Sequence, residues 1–394
     1  MKSKLNHQNL FKYLVDASIC QEKDLEYLQV DAKYSRNHYW ILNLPIYNIV
    51  VKQVYHKYED ILGNSISNER YIYDFLPSCP DLFYTSSLAP NILYYDELNS
   101  ILVYKYSSDS INLESYYENN KSFPISIAKL VGHTLATLHS ETRNSHNCYK
   151  YLTKYKDSFQ YTFPYNKYIF NRIEPENLSK FPVEGLRFIS FYQRYEKLKN
   201  AVIELVAHQS NCCLTHNNLQ LSKILIHRQS EKLLSKTDYY DVSLIKLIDW
   251  ERFSWGEPAC DLGIAIAGYL LVWLNSITVH PGIELEQSLQ LATMPLESIY
   301  PSIAAMTKAY INTYPKVLED HTDFLKRVTQ FAGLGLISRI LGILQDPNLS
   351  NNQFICMMEV GKNLLCQPEK SFSSVFGLTV SDIIDTALHS SNYH

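Results

Sequence analysis

The sequence predicts an α+β fold with two lobes, a small β-rich N-terminal lobe and a larger, mostly helical C-terminal lobe. Its 394 residues, of which 46% are hydrophobic, suffice for about two or three structural units around a substantial core. Short apolar runs bounded by polar turns fill the first hundred residues and are typical of strands. From Ser126 onward, apolar residues recur at helical spacing. We therefore place an N-lobe at residues 1–106 and a C-lobe at residues 107–394.

Five strands and one helix are expected in the N-lobe. The clearest strands are predicted at Tyr39–Leu44, Tyr47–Tyr55 and Ile101–Tyr106, where apolar and β-branched residues are concentrated. One helical pattern interrupts them at about Ser67–Leu76, after a Ser-Asn start. The N-lobe should thus be a sheet with a single helix beside it.

Helices dominate the predicted C-lobe. The first begins at Ser126 and has one apolar face that ends near His139. Between residues 210 and 250 the pattern returns to short strands, Lys223–His227 and Leu244–Ile248, so we expect a hairpin inside the helical lobe. Further helices are predicted at about residues 187–209, 260–277, 285–315, 321–345, 352–365 and 380–389.

Composition argues against several classes of partner. Lys and Arg number 36 against 40 Asp and Glu, for a net charge of −4, and no basic run would follow a nucleic-acid backbone. The eight cysteines include no CxxC pair, and the polar N-terminus resembles no secretory signal, so we expect a reduced, cytoplasmic protein. The uncharged run Leu262–Val279 contains Asn275 and follows Asp261 directly, which favours a buried helix and no membrane association.

Tyrosine is unusually abundant, with 31 residues in the chain. Many lie in the stretch Tyr149–Tyr168. Such rings could form a peptide-binding surface, because each combines apolar area with a hydroxyl group. The compositional bias of an AT-rich genome is an equal alternative, and the sequence leaves both open.

Two linked segments contain the residues with chemical potential. Leu214–His227 reads LTHNNLQLSKILIH, and Leu247–Gly263 reads LIDWERFSWGEPACDLG. They resemble the motifs His-x-Asp-Leu-x-x-x-Asn, Ile-Asp-Trp-Glu and Gly-Asp-Pro-x-x-Asp-Leu of the aminoglycoside phosphotransferase and choline kinase family. The matching positions are His216, Leu219, Asp249, Trp250, Glu251, Gly256, Pro258, Asp261 and Leu262. The resemblance implies a protein-kinase-like bilobal fold.

In that family, positioning and charge neutralisation of the transferred phosphoryl group do most of the catalysis. The resemblance implies that Asp249 would present a carboxylate to Mg²⁺, which prefers oxygen ligands. It also implies that Lys52, in the run Ile-Val-Val-Lys, would hold the ATP phosphates and pair with Glu69 on the predicted helix. ATP and Mg²⁺ are therefore the expected cofactors if the protein is active, and none is expected if it is inactive.

Two positions depart from the family pattern. The family's catalytic Asp falls on Asn218, and its second metal ligand, an Asn, falls on Lys223. An amide cannot accept the proton of an incoming hydroxyl, and loss of a general base commonly costs on the order of 10² to 10⁴ in rate. An ammonium has no lone pair for a metal. We therefore expect Lys223 to form a salt bridge with Asp249 in place of the missing ion.

Other positions of the motif receive supporting roles. By resemblance, His216 would orient the catalytic loop and Asp261 would brace it by accepting backbone N–H groups, while His139 would be structural. Tyr104 and Tyr106 would line the hinge beside an adenine ring. The segment DAKYSRNHYW, where a phosphate-covering loop belongs, contains no glycine, so its backbone could approach phosphates less closely.

The leading functional hypothesis is a pseudokinase, a kinase-like scaffold that binds a peptide or protein partner without efficient phosphoryl transfer. The alternative is an active ATP-dependent phosphotransferase that acts on a hydroxyl of a small molecule or of a peptide Ser or Thr. A narrower hypothesis is similarity to the kinase-like partners of separate lyases in class V lanthipeptide systems, which gene neighbourhood would test. Under either of the first two hypotheses, Lys52, Asn218, Lys223 and Asp249 should line one cleft between the lobes.

Overall fold

Five antiparallel strands form the N-terminal sheet of the computed structural model, in the order β1-β2-β3-β5-β4. They are β1 (Gln29–Tyr34), β2 (Asn37–Asn43), β3 (Asn48–Val54), β4 (Ile92–Asp96) and β5 (Ile101–Tyr106). The structure describes residues 4–27, 29–34, 37–44, 47–54, 66–79, 81–143, 145–153, 182–236, 241–277, 287, 293–343 and 351–391. The prediction of a small β-rich lobe is confirmed.

Successive side chains of β3 point to opposite faces of the sheet. Ile49 and Val51 point to an outer core that includes Leu10 and Leu14 of helix α1 (Leu10–Asp16). Val50, on the opposite face, belongs to the main core, which continues into the C-lobe. Lys52 follows Val50 at an interval of two, so its side chain points from the inner face of the sheet towards the other lobe.

Helix α2 (Ile66–Ser78) packs beside this inner face. Its buried residues recur at intervals of three and four, and Glu69 is one of them, between Ile66 and Ile72. Glu69 is fully buried. The helical period thus places a carboxylate within reach of Lys52.

The C-lobe is mostly helical and contains two small sheets. The strands are β6 (Ser110–Asn112), β7 (Cys213–Thr215), β8 (Ile224–His227), β9 (Ile245–Leu247) and β10 (Ser254–Gly256). The helices are α3 (Leu113–Asn120), α4 (Ile125–Thr142), α5 (His146–Thr153), α6 (Val183–Arg194), α7 (Glu196–Ala207), α8 (Ser230–Leu234), α9 (Pro258–Asn275), α10 (Tyr300–Thr313), α11 (Val317–Asp320), α12 (Phe324–Ile343), α13 (Asn351–Cys366), α14 (Pro368–Phe376) and α15 (Val380–Ser391).

Helix α9 crosses the centre of the C-lobe and packs against α12. By length and composition, it is the one helix in the described part of the chain that is apolar enough to cross a membrane, and 83% of that stretch is buried inside the protein. Its N-terminus begins with Pro258, a residue suited to the first turn. Asp261 therefore lies in the first turn, directly under the preceding loops.

Two helix predictions are wrong in their limits. The helix predicted over residues 187–209 is divided into α6 and α7 at Tyr195, whose ψ of 79° is not helical. Of the helix predicted over 285–315, Gln287 is helical, but the described residues 293–299 are not α-helical, because Pro295 is extended and a short 3₁₀ turn follows it before α10 begins at Tyr300. Residues 285–286 and 288–292 of that prediction lie outside the described residues.

Candidate active site

One buried lysine joins the two lobes. Lys52 Nζ lies 2.6 Å from Glu69 Oε2 and 2.8 Å from Asp249 Oδ1. Glu251 Oε2 lies 3.5 Å from the same ammonium. Burial alone would lower the pKa of Lys52, but the attraction of Asp249 and Glu69 raises it well above its usual value. The lysine therefore stays charged and connects β3, α2 and the segment after β9.

Two tyrosines complete this network. The Tyr39 hydroxyl lies 3.0 Å from Asp249 Oδ1 and 3.2 Å from Oδ2. Tyr73 donates a 2.6 Å hydrogen bond to Glu69 Oε1. Neither tyrosine was predicted from the sequence. Tyr73 could have been found, because it lies four residues after Glu69 on one helix face. Tyr39 depends on the pairing of β2 with β3, in which it lies opposite Lys52.

Asp249 has an unusual backbone conformation. Its φ of 62° and ψ of 47° are left-handed, which costs a residue with a Cβ roughly 1–2 kcal/mol. Its N–H lies 3.2 Å from Glu69 Oε1 and 3.1 Å from the Tyr73 hydroxyl, so it is anchored to α2. This anchoring holds the carboxylate at the opening of the cleft, where the side chain is 14% exposed.

The carboxylates of the network differ in their pKa values. Burial raises the pKa of Glu69 even though Lys52 opposes it. Burial would also raise the pKa of Asp249, but the attraction of Lys52 and Lys223 lowers it below its usual value. The same two lysines lower the pKa of Glu251 to about 2. Asp249 and Glu251 are therefore ionised at neutral pH.

The loop after β7 is braced by hydrogen bonds to the Asp261 carboxylate. Its Oδ2 and Oδ1 accept the backbone N–H groups of His216 and Asn217, each at 2.7 Å. His139 Nε2 lies 3.3 Å from Oδ2, and His139 Nδ1 lies 2.8 Å from the Tyr310 hydroxyl. All of these side chains are buried, so the bracing contacts are shielded from water.

The His216 side chain contacts the segment that contains Asp249. Its Nε2 donates to the Ile248 carbonyl oxygen at 2.9 Å, and its ring lies 4.7 Å from the Trp250 ring. Burial lowers the pKa of His216 to about 4, so the imidazole is neutral at physiological pH. His216 therefore links the loop to the segment that presents Asp249.

Substitution of the bracing carboxylate tests this loop architecture. In Asp261→Asn, an amide NH₂ replaces one acceptor and faces a backbone N–H, so we expect a loss of about 1–3 kcal/mol in the free energy of unfolding. Urea unfolding would measure it. Asp241→Asn is the matched control, since exposed Asp241 also accepts a backbone N–H, from Ser243 at 2.8 Å. An equal, small loss in both variants would contradict the bracing role.

Asn218, to which the sequence resemblance assigns the position of the family base, is 5% exposed. Its Oδ1 is 3.4 Å from Gln220 Nε2, a long hydrogen bond. Its Nδ2 is buried and has no hydrogen-bond partner among the described residues. Such a donor is costly to bury without a partner, by about 1–3 kcal/mol. Asn218 thus offers a hydrogen-bond donor where general-base chemistry requires an acceptor.

Lys223 ends a short 3₁₀ turn before β8 and is 9% exposed. The expected salt bridge to Asp249 is wrong: among the described residues, no carboxylate oxygen lies within 4.0 Å of its Nζ. Asp249 is paired with Lys52 instead, because the inner-face position of Lys52 brings its ammonium directly to that carboxylate. Lys223 acts at longer range, since its charge still lowers the pKa values of Asp249 and Glu251.

Burial disfavours the charged form of Lys223. Burial lowers its pKa to about 8, and the attraction of Asp249 and Glu251 only partly opposes this. Together, Lys52 and Lys223 place two positive charges beside three carboxylates. The negative charge of these carboxylates is thus balanced by lysine side chains.

The two tyrosines assigned to the hinge differ in environment. Tyr104 is 1% exposed and packs edge-on against Tyr73, with ring centroids 6.2 Å apart. Tyr106 is half-buried, and its hydroxyl donates to the Ser110 carbonyl oxygen at 3.1 Å. Both lie at the end of β5, where the chain passes into the C-lobe. The turn between β1 and β2, where the glycine-free segment runs, lies outside the described residues.

No protein-family model matches the chain, and no curated protein matches it by sequence. Among solved structures, an ethanolamine kinase from Plasmodium vivax superposes with a TM-score of 0.54 over 95% of this chain and 92% of that one, at 15% identity. The choline kinase LicA from Streptococcus pneumoniae gives a TM-score of 0.43 at 15% identity, over 91% and 99% of the two chains. An aminoglycoside phosphotransferase-like protein from Ralstonia eutropha superposes with a TM-score of 0.45 at 13% identity, over 94% of this chain and 99% of that one. The first similarity shows a kinase-like bilobal fold and nothing more specific.

A magnesium site of the family type fits these residues only in part. Asp249 has a carboxylate oxygen near the opening of the cleft. Lys223, to which the sequence resemblance assigns the second ligand position, has an ammonium, which has no lone pair and would repel a dication. The residues present therefore do not fit a two-ligand Mg²⁺ site, and we assign no catalytic step that requires one.

Proposed function

We propose that this chain is a kinase-like pseudoenzyme that acts as a binding or scaffold partner. The observation that carries the proposal is Lys223, a nearly buried cation at the position of a lost metal ligand. Asn218 supports it, because a buried amide donor occupies the position of the base. A fold whose chemistry depends on metal and base positioning loses most of its rate when both are replaced.

The first test is nucleotide binding. We expect millimolar ATP with Mg²⁺ to leave the melting temperature unchanged, because the cleft lacks a second metal ligand. For comparison, a ligand present at one hundred times its Kd stabilises a protein by about 2.7 kcal/mol. A thermal-shift titration with ATP, with ATP and Mg²⁺, and with Mg²⁺ alone measures this. A large stabilisation that requires the metal would overturn the proposal.

The intact Lys52–Glu69 pair favours a second candidate, an active ATP-dependent phosphotransferase that acts on a hydroxyl. In this case Lys223 would supply positive charge in place of one metal ion. Metal-dependent ATP hydrolysis above the buffer background would support it. Loss of that hydrolysis in Lys52→Met, checked for folding, would attribute it to this cleft.

A peptide is the partner class that we propose for the scaffold. The support is compositional, since the chain contains 31 tyrosines and a Tyr-rich stretch after α5. Most of the stretch Tyr149–Tyr168, namely residues 154–168, lies outside the described residues. Gene neighbourhood tests the setting: an adjacent precursor peptide and lyase would support a class V lanthipeptide-type system, and co-purification with that peptide would test binding.

A further inference from the structure

A cysteine and a histidine meet outside the cleft, beside the strand that leads into the braced loop. Cys212 directly precedes β7, and its N–H donates to the Gly256 carbonyl oxygen at 3.1 Å. Its Sγ lies 3.7 Å from Nε2 of His321, which lies between α11 and α12. Both side chains are partly exposed, so small molecules in solution can reach the pair.

We propose that Cys212 is a covalent modification site for low-molecular-weight disulfides, with its thiolate stabilised by the His321 imidazolium. The inference does not depend on the proposed function, because neither residue belongs to the cleft. Reactive cysteines are found beside cationic side chains in partly exposed positions, whereas buried structural cysteines are inert. Cys212 meets both conditions.

The electrostatic surroundings favour charge separation in this pair. A hydrogen bond from the Cys213 thiol lowers the pKa of Cys212, burial opposes it, and His321 lowers it further, to about 5. The same contact raises the pKa of His321, and Glu257 and Asp320 raise it as well. His139, on α4, also lowers the pKa of Cys212.

The nearby carboxylates are themselves paired, so their repulsion of the thiolate is reduced. Asp320 forms an ion pair with Arg143, and Glu257 forms one with Arg327. The two carboxylates that could destabilise a negative sulfur are thus compensated locally. They still help to keep His321 protonated, which is what the thiolate requires.

The other cysteines provide an internal contrast. Cys20, Cys79, Cys148, Cys213, Cys260 and Cys356 are buried, and only Cys366 is partly exposed like Cys212. Burial raises the pKa of Cys148 to about 12 and also raises that of Cys366. A thiol-selective reagent at mildly acidic pH should therefore discriminate between Cys212 and all the others.

The reaction balances without an additional oxidant. The Cys212 Sγ electron pair attacks one sulfur of the small disulfide, the old S–S bond breaks, and its electron pair leaves on the departing thiolate. The product is a mixed disulfide at Cys212. The modified sulfur has lost its charge, so the contact between the loop strand and His321 is weakened. Modification would therefore act on the segment that leads into His216 and Asn218.

The test is the reaction of the full-length protein with an aromatic disulfide reagent at several pH values, followed by peptide mapping. At pH 6 an ordinary thiol with pKa near 8.5 is about 0.3% thiolate, whereas a thiolate with a low pKa is mostly formed but intrinsically less nucleophilic. Combining these effects, we expect Cys212 to react about tenfold faster than an ordinary exposed thiol at pH 6. Its rate should be nearly constant from pH 6 to 8.

Variants then distinguish the effect of the Cys212–His321 contact from the effect of solvent exposure alone. His321→Gln should move the start of the plateau to higher pH and lower the rate at pH 6 several-fold, the contribution of Cys213 remaining, while His321→Lys, which keeps a cation, should restore part of the rate. Cys366→Ser is the matched control and should change neither rate nor plateau. The proposal is overturned if mapping of the wild-type protein finds no preference for Cys212 at pH 6, or if the rate at pH 6 and the start of the plateau are the same in His321→Gln as in the wild-type protein.

Discussion

Replacement of Lys52 by methionine is expected to lower the free energy of unfolding by about 3–5 kcal/mol, because removal of one partner leaves buried carboxylates uncompensated. Glu69 is fully buried, and Asp249 and Glu251 are largely so. Urea unfolding at neutral pH measures the loss. Lys326→Met is the matched control: its 2.8 Å ion pair with Glu369 is exposed, so we expect at most about 1 kcal/mol.

The pH dependence of the Lys52→Met defect identifies its cause. In the wild-type protein, the pKa of Glu251 is lowered to about 2 and that of Asp249 is also lowered, so their stabilisation is complete above the unfolded values and is lost as pH falls through the folded ones. Without Lys52, burial should raise the pKa of Glu69 further above its unfolded value, because Lys52 is the main charge that opposes it. The pKa values of Asp249 and Glu251 should rise as well, although Lys223 still lowers them. Protonation then favours the folded variant, and its deficit should shrink between pH 7 and pH 5. A deficit that is constant over this range would indicate lost packing instead of uncompensated charge.

The fold could be predicted because strand and helix periods differ and because two motifs are local in sequence. Residues two apart on a strand share a face, so the sequence of β3 alone places Lys52 on the same face as Val50, which points into the main core. The spacing of α2 places Glu69 on its buried face. These are short-range patterns, and a single sequence contains them.

The partners of Asp249 could not be predicted in the same way. They depend on the register of β2 against β3, which brings Tyr39 opposite Lys52, and on the approach of α2 to the segment after β9. The motif indicated a missing metal and placed Lys223 nearby, but it did not show that the Asp249 carboxylate would pair with Lys52. The predicted Lys223–Asp249 bridge failed for that reason. The division of the helix at Tyr195 likewise has no proline or glycine to mark it in the sequence.

The double variant Lys223→Asn and Asn218→Asp is expected to gain Mg²⁺-dependent ATP binding and hydrolysis. Lys223→Asn removes the ammonium that repels a dication and adds an amide oxygen, while Asn218→Asp replaces a buried NH₂ group, which has no hydrogen-bond partner among the described residues, by a proton acceptor. A general base is commonly worth on the order of 10² to 10⁴ in rate, so hydrolysis should rise well above the wild-type level. Thermal shift with and without Mg²⁺ and a phosphate-release assay measure the two gains.

Lys223→Met with Asn218→Asp is the control that distinguishes charge from coordination. It removes the same cation, which repels a dication, but offers no oxygen ligand, so it should relieve the repulsion of Mg²⁺ without creating metal-dependent nucleotide binding. If both double variants respond equally, the lysine charge alone blocks the cleft. If neither binds nucleotide although both fold, restoration of two side chains is insufficient. The preserved Lys52–Glu69–Asp249 network would then act as a structural link between the lobes, and binding surfaces outside the cleft would be the place to seek function.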